Sequence, residues 1–436
     1  MLSAFGRAFR TPDLRRKLLF TLAIITIFRL GAFIPSPGVS YQNVQQCLNS
    51  GQAQGGLQQL VNLFSGGALL QVSIFALGIM PYITSSIIVQ LLRVVIPRFQ
   101  ELYEEGAQGQ TKLTQYTRYL TIALGLLNAT TLVSLARSGQ LLQGCQLPII
   151  PDSSIVTTIL LIITLTAGTG LIMWMGELVT EKGVGNGMSL MIFTSIAAGF
   201  FPSMNSILTS KGWGTFLIVI AVGLLTVALV VFVEQSQRRV PVQYAKRMVG
   251  RRTVGGTSTY IPIKVNMAGV IPVIFASSML YLPALLAQFN TPRDGSAMPG
   301  WVEWINNNLT RGDHPIYMLI YFLMIIFFTY FYVSITFNPE EVSDNMKKYG
   351  GFIPGIRAGK PTADYLQYVL SRITLPGALY LGLVALIPLI ALVLVGANQN
   401  FPFGGTSILI MVGVGLETVK QIDAQLQQRH YEGLLR

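Results

Sequence analysis

Charged side chains are scarce in this chain. Only 11% of its 436 residues are Asp, Glu, Lys or Arg, whereas 51% are hydrophobic. A soluble globular domain of this length usually has about a quarter of its residues charged. The composition therefore excludes an ordinary soluble protein and indicates a membrane protein with several spans.

Residues for metal, redox and nucleophilic chemistry are also few. The two histidines, His314 and His430, fall in loop and tail positions, which suits neither a metal site nor a catalytic triad. The sequence has no nucleotide-binding loop, so we expect no catalytic residue, no metal and no cofactor. The two cysteines, Cys47 and Cys145, are predicted on the outer face, and the sequence leaves open whether they pair.

Acidic side chains are nearly missing from the predicted spans. Those in or near a span are Glu177 and Glu417, both at cytoplasmic helix ends. A path for ions or protons requires carboxylates or histidines within the membrane. The sequence therefore gives little support to an ion-coupled pump.

What is present is a series of long apolar runs. We predict ten spans, at 18–34, 72–92, 119–136, 155–175, 188–201, 213–233, 265–287, 316–337, 373–395 and 403–418. The first lacks a small-x-small cleavage site, so we expect no removable signal peptide. The fifth and tenth are short and follow glycine-rich lead-ins, as expected of broken or partial helices.

Basic residues are distributed unequally between the two sides of the predicted membrane. Arg29 lies inside the first span, where it can snorkel to the outer headgroups. Four others lie in outer loops: Arg137, Lys211, Arg293 and Arg311. The rest of the 30 lie on the opposite side, which predicts that both termini are cytoplasmic.

Two sequence patterns occur twice. GIMPYITSS from Gly78 matches GVIPVIFASS from Gly269, and GMSLMI from Gly187 matches GTSILI from Gly405. Either pair alone could recur by chance in apolar helices, but two pairs in the same order favour a duplicated membrane protein of two halves. The repeats place isoleucines at matched positions: Ile83, Ile192, Ile274 and Ile410. Ile79 lies one helical turn before Ile83, near mid-span.

Three further features have more than one interpretation. The run 57–70 is too short to span, and it is either an interfacial helix or a re-entrant segment. Gln90, Asn128 and Asn266 lie inside predicted spans, where amides either bond across helices or serve a functional role. The basic cytoplasmic loops, 234–264 and 338–372, are either solvated loops or docking sites for an RNA-rich partner, and GGTSTYIP predicts a hairpin in the first.

The ordered motifs resemble one family across essentially the whole chain: the SecY channel subunit of the bacterial protein-translocation complex. They include NLFSGG, FALGIMPYI, QYTRY, GNGMS, QRRVPVQYAKR, GGFIPGIRAG and FGGTSILIMVGVG. The resemblance implies an all-α polytopic membrane protein with ten transmembrane helices in two pseudo-symmetric inverted halves around a central pore. In this chain the halves would be 18–201 and 213–423, between a basic N-terminal arm, 1–17, and a cytoplasmic tail, 424–436.

The resemblance also implies site residues. The ring that constricts the pore would be formed by Ile79, Ile83, Met188, Ile192, Ile274 and Ile410. Met188 stands where a branched aliphatic is usual, and we expect at most a small effect. The plug would include Leu60, Asn62, Phe64, Ser65 and Gly66. The lateral gate would carry Gln90, Asn128 and Asn266, and partners would dock at Arg251, Arg252 and Arg357.

By the same resemblance, the chain would conduct unfolded secretory polypeptides and release hydrophobic segments into the cytoplasmic membrane. Its expected partners are SecE-like and SecG-like small subunits, a SecA motor ATPase, the ribosome, signal-bearing polypeptides and the lipid bilayer. The alternative is a secondary transporter of a small solute, which inverted repeats also fit. A transporter places polar groups at the midplane, whereas this chain places isoleucines there.

Overall fold

The computed structural model describes residues 11–49, 67–69, 71–137, 147–152, 154–244, 247–249, 252–254, 258–290, 299–309, 314–395 and 405–434. Within them the chain is mainly helical, and the strands all lie between residues 237 and 352. The elements, in chain order, are α1 Pro12–Gly31, α2 Tyr41–Asn49, α3 Met80–Val95, α4 Pro97–Glu104, α5 Ala107–Arg137, α6 Ile155–Lys182, α7 Gly187–Gln235, β1 Gln237–Tyr244, β2 Arg247–Val249, β3 Arg252–Val254, β4 Ser258–Lys264, α8 Ile271–Phe289, α9 Gly300–Asn308, α10 Pro315–Thr336, α11 Pro339–Lys348, β5 Gly351–Phe352, α12 Lys360–Val395 and α13 Gly405–Leu434.

Several of these helices can cross a membrane. Within the described residues, five segments are long and apolar enough, namely Ala107–Arg137, Ile155–Lys182, Gly212–Gln235, Pro315–Lys348 and Lys360–Ile387. A sixth results if α3 and α4, which meet at a bend of 102°, form one broken span. Each of the ten predicted spans overlaps a helix, with the fifth and sixth both in α7. The prediction of an all-α polytopic membrane protein is confirmed.

The second and seventh spans begin later than predicted. Hydropathy places the start of the second span at residue 72, but 72–79 are turns with a single bridge from Ser73 to Pro35, and the helix begins at Met80. Val72 has a positive φ of 46°, and the N–H of Ile74 donates to the carbonyl of Ile34 at 3.0 Å. Hydropathy starts the seventh at residue 265, but α8 begins at Ile271. Apolar composition alone cannot separate an apolar turn from an apolar helix.

The short predicted spans belong to longer helices. α7 consists of two helices that meet at a kink at Gly212, where φ is 80° and ψ is 178°, and the short apolar helix Gly187–Phe200 lies in the first of them. α13 continues beyond residue 418 through the predicted tail to Leu434. The fifth span therefore belongs to a helix that is broken at Gly212, and the apolar run of the tenth is the first part of a longer helix; that either is a partial span stays a prediction. The residues that follow the tenth apolar run, such as Gln421, Ala424 and Gln425, are good helix formers, so α13 extends past the apolar stretch.

The two copies of the first repeat adopt the same local structure. Gly78 and Gly269 have φ values of 57° and 62°, in the left-handed region that favours glycine. A helix begins two residues after each of them, with proline as its second residue. As a result Ile83 and Ile274 are each the fourth residue of their helix.

The two copies of the second repeat also occupy matching places, because each begins a helix. α7 begins at Gly187 and α13 begins at Gly405, so Ile192 and Ile410 are each the sixth residue of their helix. All four isoleucines therefore occupy matched places at helix starts, as the sequence repeat predicts.

Close helix contacts repeat in the same way. A Cβ added to Gly168 on α6 would overlap the carbonyl oxygen of Ile74, and one added to Gly377 on α12 would overlap that of Val265. Each carbonyl is four residues before the positive-φ glycine of its own half. The duplication therefore extends from local conformation to packing against the fourth and ninth spans.

Gly168→Val should destabilise the folded chain by about 1–3 kcal/mol, because the added carbons overlap a backbone carbonyl that a side-chain rotation cannot move. Gly170→Val on the same helix is the matched control, since a Cβ there meets open space. Thermal unfolding in detergent should show a lower midpoint for the first variant than for the second. Equal midpoints would contradict the close contact.

The chain divides into two compact units. The first consists of Met1–Leu217, Gly396–Pro402 and Ile410–Arg436, and the second of Ile218–Val395 and Phe403–Leu409. In the first unit, a buried apolar cluster joins Leu69 and residues 72–77 to α5 and α6, with Leu132 and Leu165 among its members.

The second unit contains a small sheet. β1 pairs with β4 in antiparallel register from Gln237 opposite Lys264 to Gln243 opposite Ser258, and this confirms the predicted hairpin. β5, from the other basic loop, pairs with the end of β1. Val240, Ile263, Met346 and Leu366 lie in one buried cluster, so the two loops share a core. Neither loop's sequence predicts this association.

Candidate functional site

The start of α3 places the first two ring candidates. Ile79 is the N-cap residue of α3 and is 1% exposed, and Ile83 is half-buried one turn later. The amides of Tyr82 and Ile83 donate to the carbonyl of Ile79 at 3.1 and 3.2 Å. Ile79 and Ile83 therefore belong to one hydrogen-bonded helical turn.

The GNGMS motif positions the next two ring candidates, Met188 and Ile192. Gly185 has a φ of 83°, which turns the chain out of α6. The Oδ1 of Asn186 accepts from the amides of Met188 at 3.0 Å and Ser189 at 3.4 Å, and so caps α7. Met188 is half-buried and Ile192 is buried on the first two turns of this helix.

α6 holds this helix start in place. The Oγ1 of Thr180 accepts from the amide of Gly187 at 2.9 Å and donates to the carbonyl of Gly176 at 3.0 Å. A Cβ on Gly187 would overlap that same carbonyl, so only glycine fits. The Oγ1 of Thr21 also accepts from the amide of Val184 at 3.2 Å, which ties α1 to the same loop.

The remaining ring candidates are buried. Ile274 is 6% exposed near the start of α8, and Ile410 is 1% exposed near the start of α13. Ile79, Ile83, Met188, Ile192 and Ile410 belong to the first compact unit, whereas Ile274 belongs to the second. Each candidate thus lies within the first two turns of a helix, or caps it.

The gate candidates lie in three different settings. Gln90 is exposed on α3, and Asn128 is half-buried on α5, which packs against α3. Asn266 is predicted inside the seventh span but lies in the link between β4 and α8. Its Nδ2 donates to Glu234 Oε1 at 2.5 Å and to the carbonyl of Gly269 at 3.1 Å. Glu234 is half-buried. Its role was missed from the sequence because the predicted sixth span ends at residue 233.

An ion pair between α5 and α6 was also missed. The Nε and Nη2 of Arg118 donate to Glu177 Oε1 and Oε2 at 2.9 and 2.7 Å, in the two-point geometry typical of strong arginine–carboxylate pairs. The side chain of Glu177 is 15% exposed. Opposite charges at the ends of two consecutive spans, on the side of the membrane where the sequence predicts both ends, were the available sequence signal.

The second basic loop presents Arg357 on a constrained turn. Arg357 is exposed, and Gly355 and Gly359 on either side have φ values of 83° and 102°. The carbonyl of Arg357 accepts from Thr362 Oγ1 at 2.9 Å, and Ser343 Oγ donates to the carbonyl of Gly359 at 2.7 Å. The backbone of this turn is therefore held to α11 and α12 while the side chain of Arg357 stays exposed.

Other candidates lie outside the described residues. These are the plug positions Leu60, Asn62, Phe64, Ser65 and Gly66, together with Arg251 and Cys145. Arg252 lies in β3 and Cys47 in α2, and their side chains are not described. In the described part of the chain, no three His, Cys, Asp or Glu side chains are grouped so that they could hold a metal ion.

Comparison with known proteins decides the family. The SecY family model matches residues 73–419. The protein translocase subunit SecY of Micrococcus luteus is 66% identical over 437 residues, with all of both chains covered. The chain belongs to the SecY family.

Solved structures agree with this membership at the level of fold. A structure described as a protein-conducting channel matches with a TM-score of 0.62 at 18% identity, and covers 93% of this chain and 91% of its own. Sec61 in the canine ribosome–channel complex matches with a TM-score of 0.59 at 17% identity. This match also covers 93% of this chain and 91% of the Sec61 chain. The chain is thus a protein translocase subunit with a transport function rather than an enzyme. The alternative of a small-solute transporter is set aside.

Proposed function

We propose that the chain is the pore subunit of a protein-conducting channel in the cytoplasmic membrane, with both termini on the cytoplasmic side. Unfolded secretory polypeptides cross through a ring of Ile79, Ile83, Met188, Ile192, Ile274 and Ile410. The observation that carries the proposal is the matched position of four isoleucines at the starts of four helices in two repeated halves. Domain limits at 18–201 and 213–423 follow from the same repeat.

An aliphatic ring suits this function physically. A narrow apolar constriction loses its water and so blocks ions without a charged filter. Aliphatic side chains make no directional bonds, so they can part around a peptide of any sequence. A plug at about 57–70 would add to the closed state.

The proposed lateral gate carries polar, uncharged side chains. Gln90 and Asn128 lie on α3 and α5, and Asn266 lies at the base of α8. A signal segment that leaves sideways passes from the pore to lipid, a step driven by its own hydrophobicity. Amide contacts contribute only about 1 kcal/mol each within a membrane, so they can separate when that segment enters.

The energy for transport comes from partners that dock on the cytoplasmic loops. Arg251, Arg252 and Arg357 supply positive charge suited to ribosomal RNA or to a SecA motor ATPase. Support for a ribosome comes from the similar Sec61 channel, which was solved in a ribosome–channel complex. SecE-like and SecG-like small subunits would complete the membrane assembly.

Reconstituted transport tests the proposal. Proteoliposomes would contain the purified chain with its small subunits, and the motor ATPase, ATP and a signal-bearing precursor would be added outside. We expect ATP-dependent protection of the precursor from protease, and none for a precursor without a signal. Equal protection of both precursors, or of neither, would contradict the function.

A further inference from the structure

The base of the cytoplasmic hairpin is closed by three successive contacts. Gln237 pairs with Lys264 at the end of the β1–β4 ladder. One step further on, the amide of Val265 donates to the carbonyl of Ser236 at 3.1 Å. Beyond that, the side-chain amide of Asn266 donates to the carboxylate of Glu234 at the end of α7. The pairing of the two strands therefore continues into a side-chain bond at the membrane end of the hairpin.

The same amide also holds the start of α8. Its second hydrogen bond goes to the carbonyl of Gly269, the left-handed residue before the helix. The first turn of α8 follows at once, and the amide of Ile274 donates to the carbonyl of Val270 at 3.3 Å. Asn266 thus joins the end of α7, the hairpin base and the helix that carries Ile274.

α12 fixes this link from another side. Its Gly377 lies against the carbonyl of Val265, so the backbone has no room to shift toward the helix. Tyr380 lies one turn further along the same face of α12. Within the described residues, the Tyr380 hydroxyl and the Asn266 Oδ1 are buried without a hydrogen-bond partner, and Asn266 is only 3% exposed. The site therefore contains unused polar groups beside its one bonded amide.

The matched position in the first half is apolar. Phe75, three residues before Gly78 as Asn266 is before Gly269, is buried and stacks on Phe28 of α1 at a ring distance of 5.9 Å. The backbone of the first lead-in is tied by the Ile74 N–H bond to Ile34, but its side chain at the matched position makes only apolar contacts, whereas in the second half that side chain makes hydrogen bonds. Hydrogen bonds depend on direction and are lost after a small displacement, whereas apolar packing tolerates sliding.

We infer that Asn266 is a positioning residue that transmits displacement of the docked hairpin to α8 and so to Ile274. With the hairpin at rest, the two bonds of Asn266 hold α8 in the closed arrangement. A partner that shifts the hairpin pulls Asn266 away from Glu234 or Gly269 and frees the helix start. This inference rests on the proposed function, in which the hairpin docks a partner and Ile274 belongs to the ring.

Asn266→Ala tests the link in the full chain, reconstituted with its small subunits. Without a partner, ion leak from the liposomes should rise about tenfold, the factor that corresponds to losing one hydrogen bond to a charged group. Ribosome co-sedimentation should stay within about twofold of the parent, because the shared core of the loops does not involve this side chain. The rate of partner-driven precursor transport, divided by the amount of docked partner, should fall. Thr259→Ala, an exposed hairpin position, is the matched control and should change none of these readouts.

A charge exchange distinguishes positioning from simple loss of packing. Asn266→Asp places two carboxylates together and should raise the leak further than Asn266→Ala. The double variant Glu234→Gln with Asn266→Asp restores one amide–carboxylate bond, and so should bring the leak and the transport partly back. Recovery should be incomplete, because the carbonyl of Gly269 still lacks its donor.

The outcomes separate this inference from the proposed function. If the parent chain transports precursor but Asn266→Ala matches it in leak and in transport per docked partner, the inference is overturned. It is also overturned if Asn266→Ala lowers docking as much as transport, or if the double variant is no better than Asn266→Asp. Failure of the parent chain itself to transport would instead count against the proposed function.

Discussion

Ile410→Asn should open the closed channel to ions and relax its requirement for a strong signal. Ile410 is 1% exposed at the start of α13, and an amide there both wets the constriction and loses apolar burial. Loss of about 1.5–3 kcal/mol of burial corresponds to a shift of roughly tenfold or more in the closed-to-open ratio. The measurements are ion leak from proteoliposomes and transport of a precursor with a weakened signal.

Ile410→Leu is the matched control, because it keeps an aliphatic side chain of the same size. Its leak and signal requirement should stay near those of the parent chain. Ile83→Asn, at a half-buried position, should act in the same direction with a smaller effect. If Ile410→Asn and Ile410→Leu behave alike, Ile410 does not belong to a constriction.

Arg357→Glu should weaken partner docking at least about tenfold while the membrane helices stay folded. The side chain is exposed on a turn whose backbone is held by Thr362 and Ser343, so the substitution reverses a charge without removing a bond of the fold. Contacts with phosphate depend on that positive charge. Ribosome co-sedimentation and binding of the motor ATPase would measure the loss, and both should become less sensitive to salt.

Lys360→Glu, three residues away and also exposed, is the control for a general change in charge. It adds a favourable acidic residue to the first turn of α12 and should affect docking much less. Thermal unfolding of both variants should match the parent. A lower unfolding midpoint for Arg357→Glu would make Arg357 a structural residue instead.

Patterns that are local in sequence predicted the fold well. The repeated Gly-x-x-Pro pattern carried its own conformational cause, since a left-handed glycine followed by proline both ends a turn and starts a helix. Ile83 and Ile274 can therefore be matched from the sequence alone. The GNGMS motif was also informative, because Asn186 caps α7 by accepting from amides two and three residues away.

Features that depend on distant parts of the chain could not be predicted. The pairing of β5 with β1 joins residues more than a hundred positions apart, and nothing in either loop indicates the other. Span limits drawn from hydropathy placed Asn266 inside a helix and left Glu234 outside one. The hydrogen bond between Asn266 and Glu234 could therefore not be predicted from hydropathy.

The symmetry of the two halves was predicted from their sequences, but the difference between them was not. Phe75 and Asn266 occupy matched positions, and only their neighbours reveal that one packs on Phe28 and the other binds Glu234. A repeat is recognised by its identical residues, so such substitutions pass unnoticed. Within a duplicated fold, positions that differ in polarity are therefore where the halves are expected to act differently.

Site-specific cross-linking tests whether polypeptide passes through the ring. Single cysteines would replace Ile83, Ile274 or Ile410 in a chain with Cys47→Ser and Cys145→Ser, and a precursor arrested in transit would carry one reactive group. All three positions should cross-link to the arrested chain, whereas a cysteine at Leu225, which is 71% exposed on α7, should not. Cross-links at Leu225 as strong as those at the three ring positions, or none at the ring, would show that the polypeptide does not pass through the ring.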